Sequence, residues 1–241
     1  TLHAQQDSNM HRLLETLCSK DFKGRGYIEN GVNLAADYLT EALQQFHTKP
    51  FGYSYTQTYS LAVNTFPEPI ICTVDGKEKK AGSDFLVDAS SPGIKGRFHL
   101  THFNMKDSLE CMRLMQRIHH GFSANEVPVL HHYNAREKKY QDSSLFYHHE
   151  PCMWITTEDK KLTYTVSRSV AATPSLIFID SALQRGDAMQ ITLKQKFQKK
   201  FICKNIAAYI EGRHNDSFMV FSAHYDHLGM MGQAMFPGAS D

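Results

Sequence analysis

The feature that most constrains this sequence is a short apolar run near its carboxyl end, followed at once by proton and metal ligands. Residues 218–223 read FMVFSA, and His224, Asp226 and His227 come directly after them. An apolar run of this length between turn residues is typical of a strand buried on both faces. We therefore predict a central strand over 218–223, with His224 at its carboxyl end, where open α/β sheets place functional residues.

A second strand is predicted beside the first. Residues 188–212 alternate between apolar and polar side chains, and the polar turn RHNDS separates them from the apolar run. A polar-sided strand, a tight turn and a fully apolar strand indicate entry into a large sheet covered by helices. Residues 205–212 and 218–223 are therefore expected to be neighbouring strands.

The pattern of apolar and polar residues along the sequence predicts three segments. Apolar residues recur at helical spacing over 10–17 and 32–46, which predicts two helices, and residues 53–63 alternate as a strand does. From residue 66 the chain changes to short β-rich runs around one amphipathic helix. We predict a first domain that begins over 1–65 and returns over 185–241, with a separate mixed domain inserted over 66–184.

The composition excludes several classes of protein. The chain has 241 residues, 41% hydrophobic and 21% charged, with a net charge of +1, so neither nucleic acid nor an anionic membrane is predicted as a partner. No apolar run approaches the roughly 18 residues of a membrane span. The dipeptide Ala4-Gln5 resembles the remnant of a cleaved leader, so a periplasmic or secreted location is expected, although an ordinary polar terminus explains it equally well.

Cysteines and paired histidines point to no further metal site. The five cysteines are far apart and form no CxxC pair, so we predict free thiols. Histidine pairs begin at positions 119, 131 and 148. Adjacent residues on a strand face opposite ways, so we predict surface or loop histidines rather than chelating pairs.

The chemistry of the carboxyl-terminal motif suggests zinc. Imidazole is a good zinc ligand, and Asp226 is placed to accept a hydrogen bond from the second ring nitrogen of His224, which would fix its tautomer. Asp241 follows Pro237 and Gly238, whose turn can fold its carboxylate back toward His224. Two ligands are fewer than a zinc site needs, so these residues alone leave an ordinary strand end and turn as an open alternative.

The motifs NIAAYIEG, FMVFSAHYDHLG and FPGASD, in this order, resemble the core of the co-catalytic di-zinc aminopeptidases, a family that includes bacterial leucyl-type aminopeptidases and the glutamate carboxypeptidases. The opening LCSKDFKGRG and NLAADYLTEALQQF resemble the first helix, the short G-R-G turn and the second helix of that family. The resemblance covers the N-terminal third and the segment from residue 205 on. The middle matches only in position, where many members carry an insert, often a protease-associated domain.

The resemblance implies an α/β fold, with a phosphorylase/hydrolase-like mixed sheet covered by helices and an inserted smaller β-rich domain. It makes His224 a ligand of one zinc ion, Asp226 the carboxylate that orients His224, and Asp241 the carboxylate that bridges two zinc ions. His227 receives no ligand role. In the family a glutamate base and further ligands follow the matched aspartate, so we expect this chain to be incomplete at the C-terminus, inactive alone, and dependent on the missing part or on a partner chain.

The activity implied by the resemblance is the hydrolysis of N-terminal residues from peptides by a zinc-dependent aminopeptidase. Three alternatives stay open at this point: a glutaminyl cyclase with a related fold and one zinc ion, a catalytically inactive receptor ectodomain or binding module on the same fold, and a globular binding protein without metal.

Overall fold

A computed structural model describes residues 2–133, 151–159, 162, 164–183, 186–214 and 216–238, with side chains from Met10 onward. The chain forms two compact units. The first comprises Thr1–Val63, Gln198–Met230 and Met235–Asp241, and the second comprises Asn64–Phe197 and Met231–Ala234. That the second unit is a domain inserted into a catalytic one stays a prediction.

The described elements alternate between helices and mostly short strands. The helices are α1 Leu2–Leu17, α2 Gly31–Gln45, α3 Ser108–His120 and α4 Asp180–Leu183, with 3-10 turns over Lys20–Arg25 and Ile28–Asn30. The strands are β1 Lys49–Pro50, β2 Thr56–Thr65, β3 Ile71–Val74, β4 Lys77–Lys79, β5 Phe85–Val87, β6 Ile94–Asn104, β7 Glu126–His131, β8 Trp154–Glu158, β9 Ser175–Ile179, β10 Ala188–Leu193, β11 Lys196–Ile206, β12 Ala208–Tyr209, β13 Gly229–Met231 and β14 Ala234–Phe236.

The second unit is built on an eight-stranded mixed sheet in the order β4-β3-β10-β6-β7-β8-β9-β5. Strands β6 to β9 run parallel, and the outer pairs are antiparallel. Helix α3 makes the crossover from β6 to β7 that a parallel pair requires, and its first turn is capped by the Asp107 side chain, which accepts the Leu109 N–H. Its buried face packs on Phe103 and Leu130 of the sheet. The predicted mixed α/β fold is therefore confirmed.

The first unit contains the two predicted helices. Helix α2 buries Val32, Ala35 and Ala36, and Tyr38 on the same helix meets Phe22 edge to face, with ring centroids 5.4 Å apart. The first helix begins earlier than the apolar spacing predicts, at Leu2, and ends at Leu17. In two-stranded sheets, β1 pairs with β12 and β2 with β11.

The predicted central strand over 218–223 is wrong. The backbone there has no strand, and Phe218, Met219, Val220 and Phe221 are 82–89% exposed. A strand exists only when a neighbour takes up its N–H and C=O groups. In the described chain β11 pairs with β2 and β12 pairs with β1, and neither pairs with 218–223. The large sheet lies in the second unit, not at the predicted pair of strands.

The prediction of free thiols agrees with the structure. All five cysteines are free, and burial raises the pKa of the Cys72 thiol to about 12. None of the described helices is both long and apolar enough to cross a bilayer.

Candidate metal site

The loop that follows residue 223 holds the imidazole of His224 in one tautomer. Its Nδ1 lies 3.0 Å from the backbone oxygen of Asp226 and 3.4 Å from Oδ1 of the same residue. A carbonyl oxygen only accepts hydrogen bonds, so Nδ1 carries the hydrogen and Nε2 keeps its lone pair. The side chain is 67% exposed, so His224 presents a ligand nitrogen to solvent.

The negative charge of Asp226 opposes the ionisation of neighbouring hydroxyl and thiol groups. Burial, and then the charges of neighbours that include Tyr59, Cys203 and Asp226, raise the pKa of the Tyr225 hydroxyl. The Asp226 carboxylate likewise helps to raise the pKa of Tyr59 and of Cys203, after the larger effect of burial. Tyr225 Oη donates to the backbone oxygen of Lys204 at 2.5 Å. The loop is thus fastened to β11, with Asp226 facing β2 and β11.

Arg25 joins this loop to the turn that precedes Asp241 in sequence. Its guanidinium donates from Nε to the Tyr225 oxygen at 2.9 Å, from Nη1 to the Pro237 oxygen at 2.8 Å and from Nη2 to the Gly238 oxygen at 2.9 Å. Nη1 also donates to the last-turn carbonyl of α1, that of Leu17, at 2.9 Å. Both halves of the predicted motif therefore meet at one side chain.

The two glycines beside Arg25 allow the backbones to approach. A Cβ added to Gly24 would lie 2.5 Å from the carbonyl oxygens of Gly229 and Phe236, and one added to Gly26 would lie 2.4 Å from the Gly229 Cα. Gly24 also has φ +64°, the left-handed region that glycine enters without a steric penalty. Glycine is thus required at positions 24 and 26, because the backbone of Gly229 and Phe236 lies directly against the turn.

His227 completes the contact between the loop and the turn. Its N–H donates to the Arg25 oxygen at 3.1 Å. Its ring packs so closely on Gly238 that an added Cβ would lie 2.3 Å from the ring Cδ2. His227 therefore has a packing role, and Arg25 binds the loop on both sides of Asp226.

Of the three predicted site residues, the structure brings together His224 and Asp226. Asp241 lies outside the described residues, three positions after Gly238. Within the described part of the chain, no three His, Cys, Asp or Glu side chains converge so that they could hold a metal ion. The donor set that is described fits zinc at one point, the free Nε2 of His224.

Arg25 is the functional candidate that sequence reasoning missed. The G-R-G turn was recognised, but the arginine between the glycines was given no role. A single arginine in a tight glycine turn, next to a helix end, was the available signal, because such a turn cannot bury a guanidinium unless carbonyl groups receive it.

The second unit holds another polar cluster, at the carboxyl ends of its parallel strands. His102 Nε2 lies 2.8 Å from the Gly186 oxygen, His102 Nδ1 lies 2.7 Å from His131 Nε2, and His131 Nδ1 lies 2.6 Å from Asp180 Oδ1. The His131 side chain is only 15% exposed. The prediction of a surface or loop histidine at 131 is therefore wrong, because β7 places it between two hydrogen-bond partners. The pair at 148 lies outside the described residues.

Hydrogen bonds in this cluster act on one histidine tautomer and on the Asp180 carboxyl. The Gly186 oxygen only accepts hydrogen bonds, so Nε2 of His102 donates to it. Burial raises the pKa of Asp180, but hydrogen bonds from His131 and Thr157 and the nearby histidine charges outweigh it, and the pKa is lowered. The strand-end rule applied to His224 would also have found His131 and Asp180.

Comparison with known proteins gives a fold similarity without a sequence match. No protein-family model matches the chain, and no curated protein matches it. Among solved structures, an aminopeptidase from Aneurinibacillus sp. strain AM-1 has a TM-score of 0.50 at 11% identity, over 87% of this chain and 49% of that one.

A peptidase M28 precursor from Shewanella amazonensis SB2B has a TM-score of 0.42 at 9% identity, over 83% of this chain and 53% of that one. The chain thus spans about half the length of the aminopeptidase, since the alignment covers 49% of that protein. At such low identity the comparison shows the fold alone. In fold, this chain is similar to the aminopeptidase from Aneurinibacillus.

Proposed function

We propose that this chain carries part of the metal site of a zinc-dependent aminopeptidase. The observation that carries the proposal is the meeting of two motifs at Arg25. The carbonyl of Tyr225, between His224 and Asp226, and the carbonyl of Gly238, three residues before Asp241, accept hydrogen bonds from one guanidinium. The similarity in fold to an aminopeptidase supports the same assignment.

Each residue has a distinct task in this proposal. Nε2 of His224 would hold one zinc ion, while its Nδ1–H donates to the backbone oxygen of Asp226, which fixes the ring. Asp241 would supply a carboxylate ligand shared by the two zinc ions. Zinc held there would polarise the substrate carbonyl and lower the pKa of bound water. The substrate is a peptide with a free N-terminus, and a periplasmic or secreted location belongs to the same proposal.

The three alternatives from the sequence predict different products. A glutaminyl cyclase would hold one zinc ion and convert N-terminal glutamine to a cyclic residue. An inactive receptor-like protein would bind peptides without turnover, with or without zinc. A binding protein without metal would hold no zinc at all.

The test uses the full-length protein, freed of loose metal and analysed by mass spectrometry for bound zinc. Leucyl and alanyl 4-nitroanilides serve as substrates, with a glutaminyl peptide as the cyclase probe. We expect two zinc ions per chain and release of the N-terminal residue. In His224→Ala one zinc ion is lost and nearly all activity disappears, because the ligand nitrogen is removed.

The matched control is His214→Ala, which removes an exposed histidine ten positions upstream that has no assigned role. It should keep both zinc ions and the wild-type rate. Wild-type zinc content and activity in His224→Ala would exclude this residue as a ligand. Cyclisation with one zinc ion, or binding without turnover, would replace the proposed function by the corresponding alternative.

A further inference from the structure

The environment of Arg25 is unusual for a cation. Its side chain is 8% exposed, and no carboxylate pairs with it among the ion pairs of the described residues. Four backbone carbonyls receive its N–H groups. Removing a charge from water is unfavourable unless hydrogen bonds replace the lost hydration. These carbonyls do so, and each therefore becomes fixed to the guanidinium plane.

The backbone that carries Arg25 is itself in a restricted conformation. Lys23, Gly24 and Arg25 have φ of 51°, 64° and 52° in succession, and the left-handed region is unfavourable for the two residues that are not glycine. Such a run persists only where the surroundings hold it. Here the Arg25 carbonyl accepts the His227 N–H at 3.1 Å, so the turn and the loop hold each other.

We infer that Arg25 is a positioning residue for the candidate zinc site, holding the loop of His224 and Asp226 and the turn before Asp241 at a fixed separation. The inference rests on the proposed function for the identity of the metal. The positioning of the two segments is argued from the hydrogen bonds alone. Tyr225 and His227 flank Asp226 and both bind residue 25.

A fork of N–H groups is needed for this task. Nε points to the loop, while Nη1 and Nη2 point to the Pro237 and Gly238 carbonyls, so a single rigid plane spans both segments. Lysine has a compact ammonium on a flexible stem and cannot reach all of these carbonyls at once. Arg25→Lys keeps the charge and the apolar stem, and so separates positioning from charge.

The experiment compares Arg25→Lys and Arg25→Gln with the wild-type full-length protein. Amide hydrogen exchange is measured over 224–228 and 235–238, zinc affinity by chelator competition, and kcat and KM with a leucyl 4-nitroanilide. We expect faster exchange confined to those two segments. Zinc affinity should fall about 10-fold or more, as it does when supporting residues of metal sites are changed, with a loss in kcat rather than in KM.

Asn33→Ala is the matched control for general destabilisation. Asn33 is buried in the same unit and donates to the Ile202 carbonyl at 2.8 Å, on β11 rather than on the loop or the turn. This variant should lower thermal stability without raising exchange selectively at 224–228 and 235–238. If Arg25→Lys and Asn33→Ala have the same exchange pattern, Arg25 is only a stability residue and the inference is overturned.

The outcomes separate the inference from the proposed function. A wild-type protein without zinc defeats the proposed function, yet the exchange pattern still decides whether Arg25 positions the two segments. If both Arg25 variants fail to fold, the wild-type Nε–H of Arg25 is followed by NMR. Its exchange with water should be slow, because this proton is buried and donated to Tyr225. Fast exchange would overturn the inference.

Discussion

At the scale of single residues, the close approach of two backbone segments explains the G-R-G turn better than the polarity of its residues does. The G-R-G turn matters because its glycines leave room for the backbone of Gly229, while its arginine binds the carbonyls around that passage. The three residues act together, since either glycine replaced by a larger residue would separate the guanidinium from its acceptors.

Gly26→Ala should destabilise the first unit by about 1–3 kcal/mol, the usual effect of an added methyl group in a filled space. The new Cβ would stand 2.4 Å from the Gly229 Cα, and backbone cannot move aside as a side chain does. Chemical denaturation followed by circular dichroism measures the loss. Gly212→Ala is the control, because its Cβ meets nothing closer than 3.6 Å. Equal stability of the two variants would contradict this reading of the turn.

At the scale of elements, the apolar spacing predicted where α2 lies but not which face it buries. A helix forms over Gly31–Gln45, but Leu34 and Phe46 of the predicted apolar stripe are 41% and 61% exposed. The buried residues of the helix include Val32, Ala35 and Ala36 instead. The run over 218–223 has the composition of a strand, but strands depend on partners far along the chain. The same limit applies to His131 and Asp180, which only the pairing of β7, β8 and β9 brings together.

The cluster of His131 and Asp180 predicts an acid-sensitive contribution to stability. The pKa of Asp180 is lowered in the folded chain, so the folded state favours the ionised carboxylate. Its contribution is present above the unfolded pKa of about 3.9 and is lost as pH falls through the lower folded value. Urea unfolding at a series of pH values from about 2.5 to 6 measures the change in free energy.

In Asp180→Asn the carboxylate is gone, so the acid loss should be smaller than in the wild type, and the variant should be less stable at pH 6, about two units above the unfolded Asp pKa. Asp187→Asn is the control, because it removes a carboxylate that takes no part in the hydrogen bond between His131 and Asp180. If Asp180→Asn loses as much unfolding free energy at low pH as the wild type does, the carboxylate contributes nothing to the acid sensitivity.

At the scale of the whole molecule, the two units differ in how their backbone is secured. The second unit places its strands in one eight-stranded sheet, whereas residues 211–214 and 216–228 of the first unit have no regular structure. The composition of the sequence changes near residue 66, and the inserted domain predicted from that change stays a prediction. It did not predict the exposed run over 218–223, because exposure depends on which chain segments cover it.

Trypsin should cut after Arg213 before it cuts after Arg97. Arg213 is exposed in a segment without backbone pairing, and proteases need an extended, unpaired backbone. Arg97 is also exposed, but it lies inside β6 and is paired with Gln190 of β10, so it serves as the internal control. Mass spectrometry of early digestion products gives the order of cuts. Cleavage after Arg97 before Arg213 would show that 211–228 is protected.

The hydrogen bonds of Arg25 also set an order in time. Tyr225 is 200 positions and Gly238 is 213 positions from it along the chain. Closing so long a loop is entropically unfavourable, and such contacts form after local ones. On a ribosome adding about 5–20 residues per second, roughly 10 to 40 s pass between the synthesis of Arg25 and that of Tyr225, its first distant acceptor. In that interval residues 64–197 emerge, and the candidate site is the last part of the first unit to assemble.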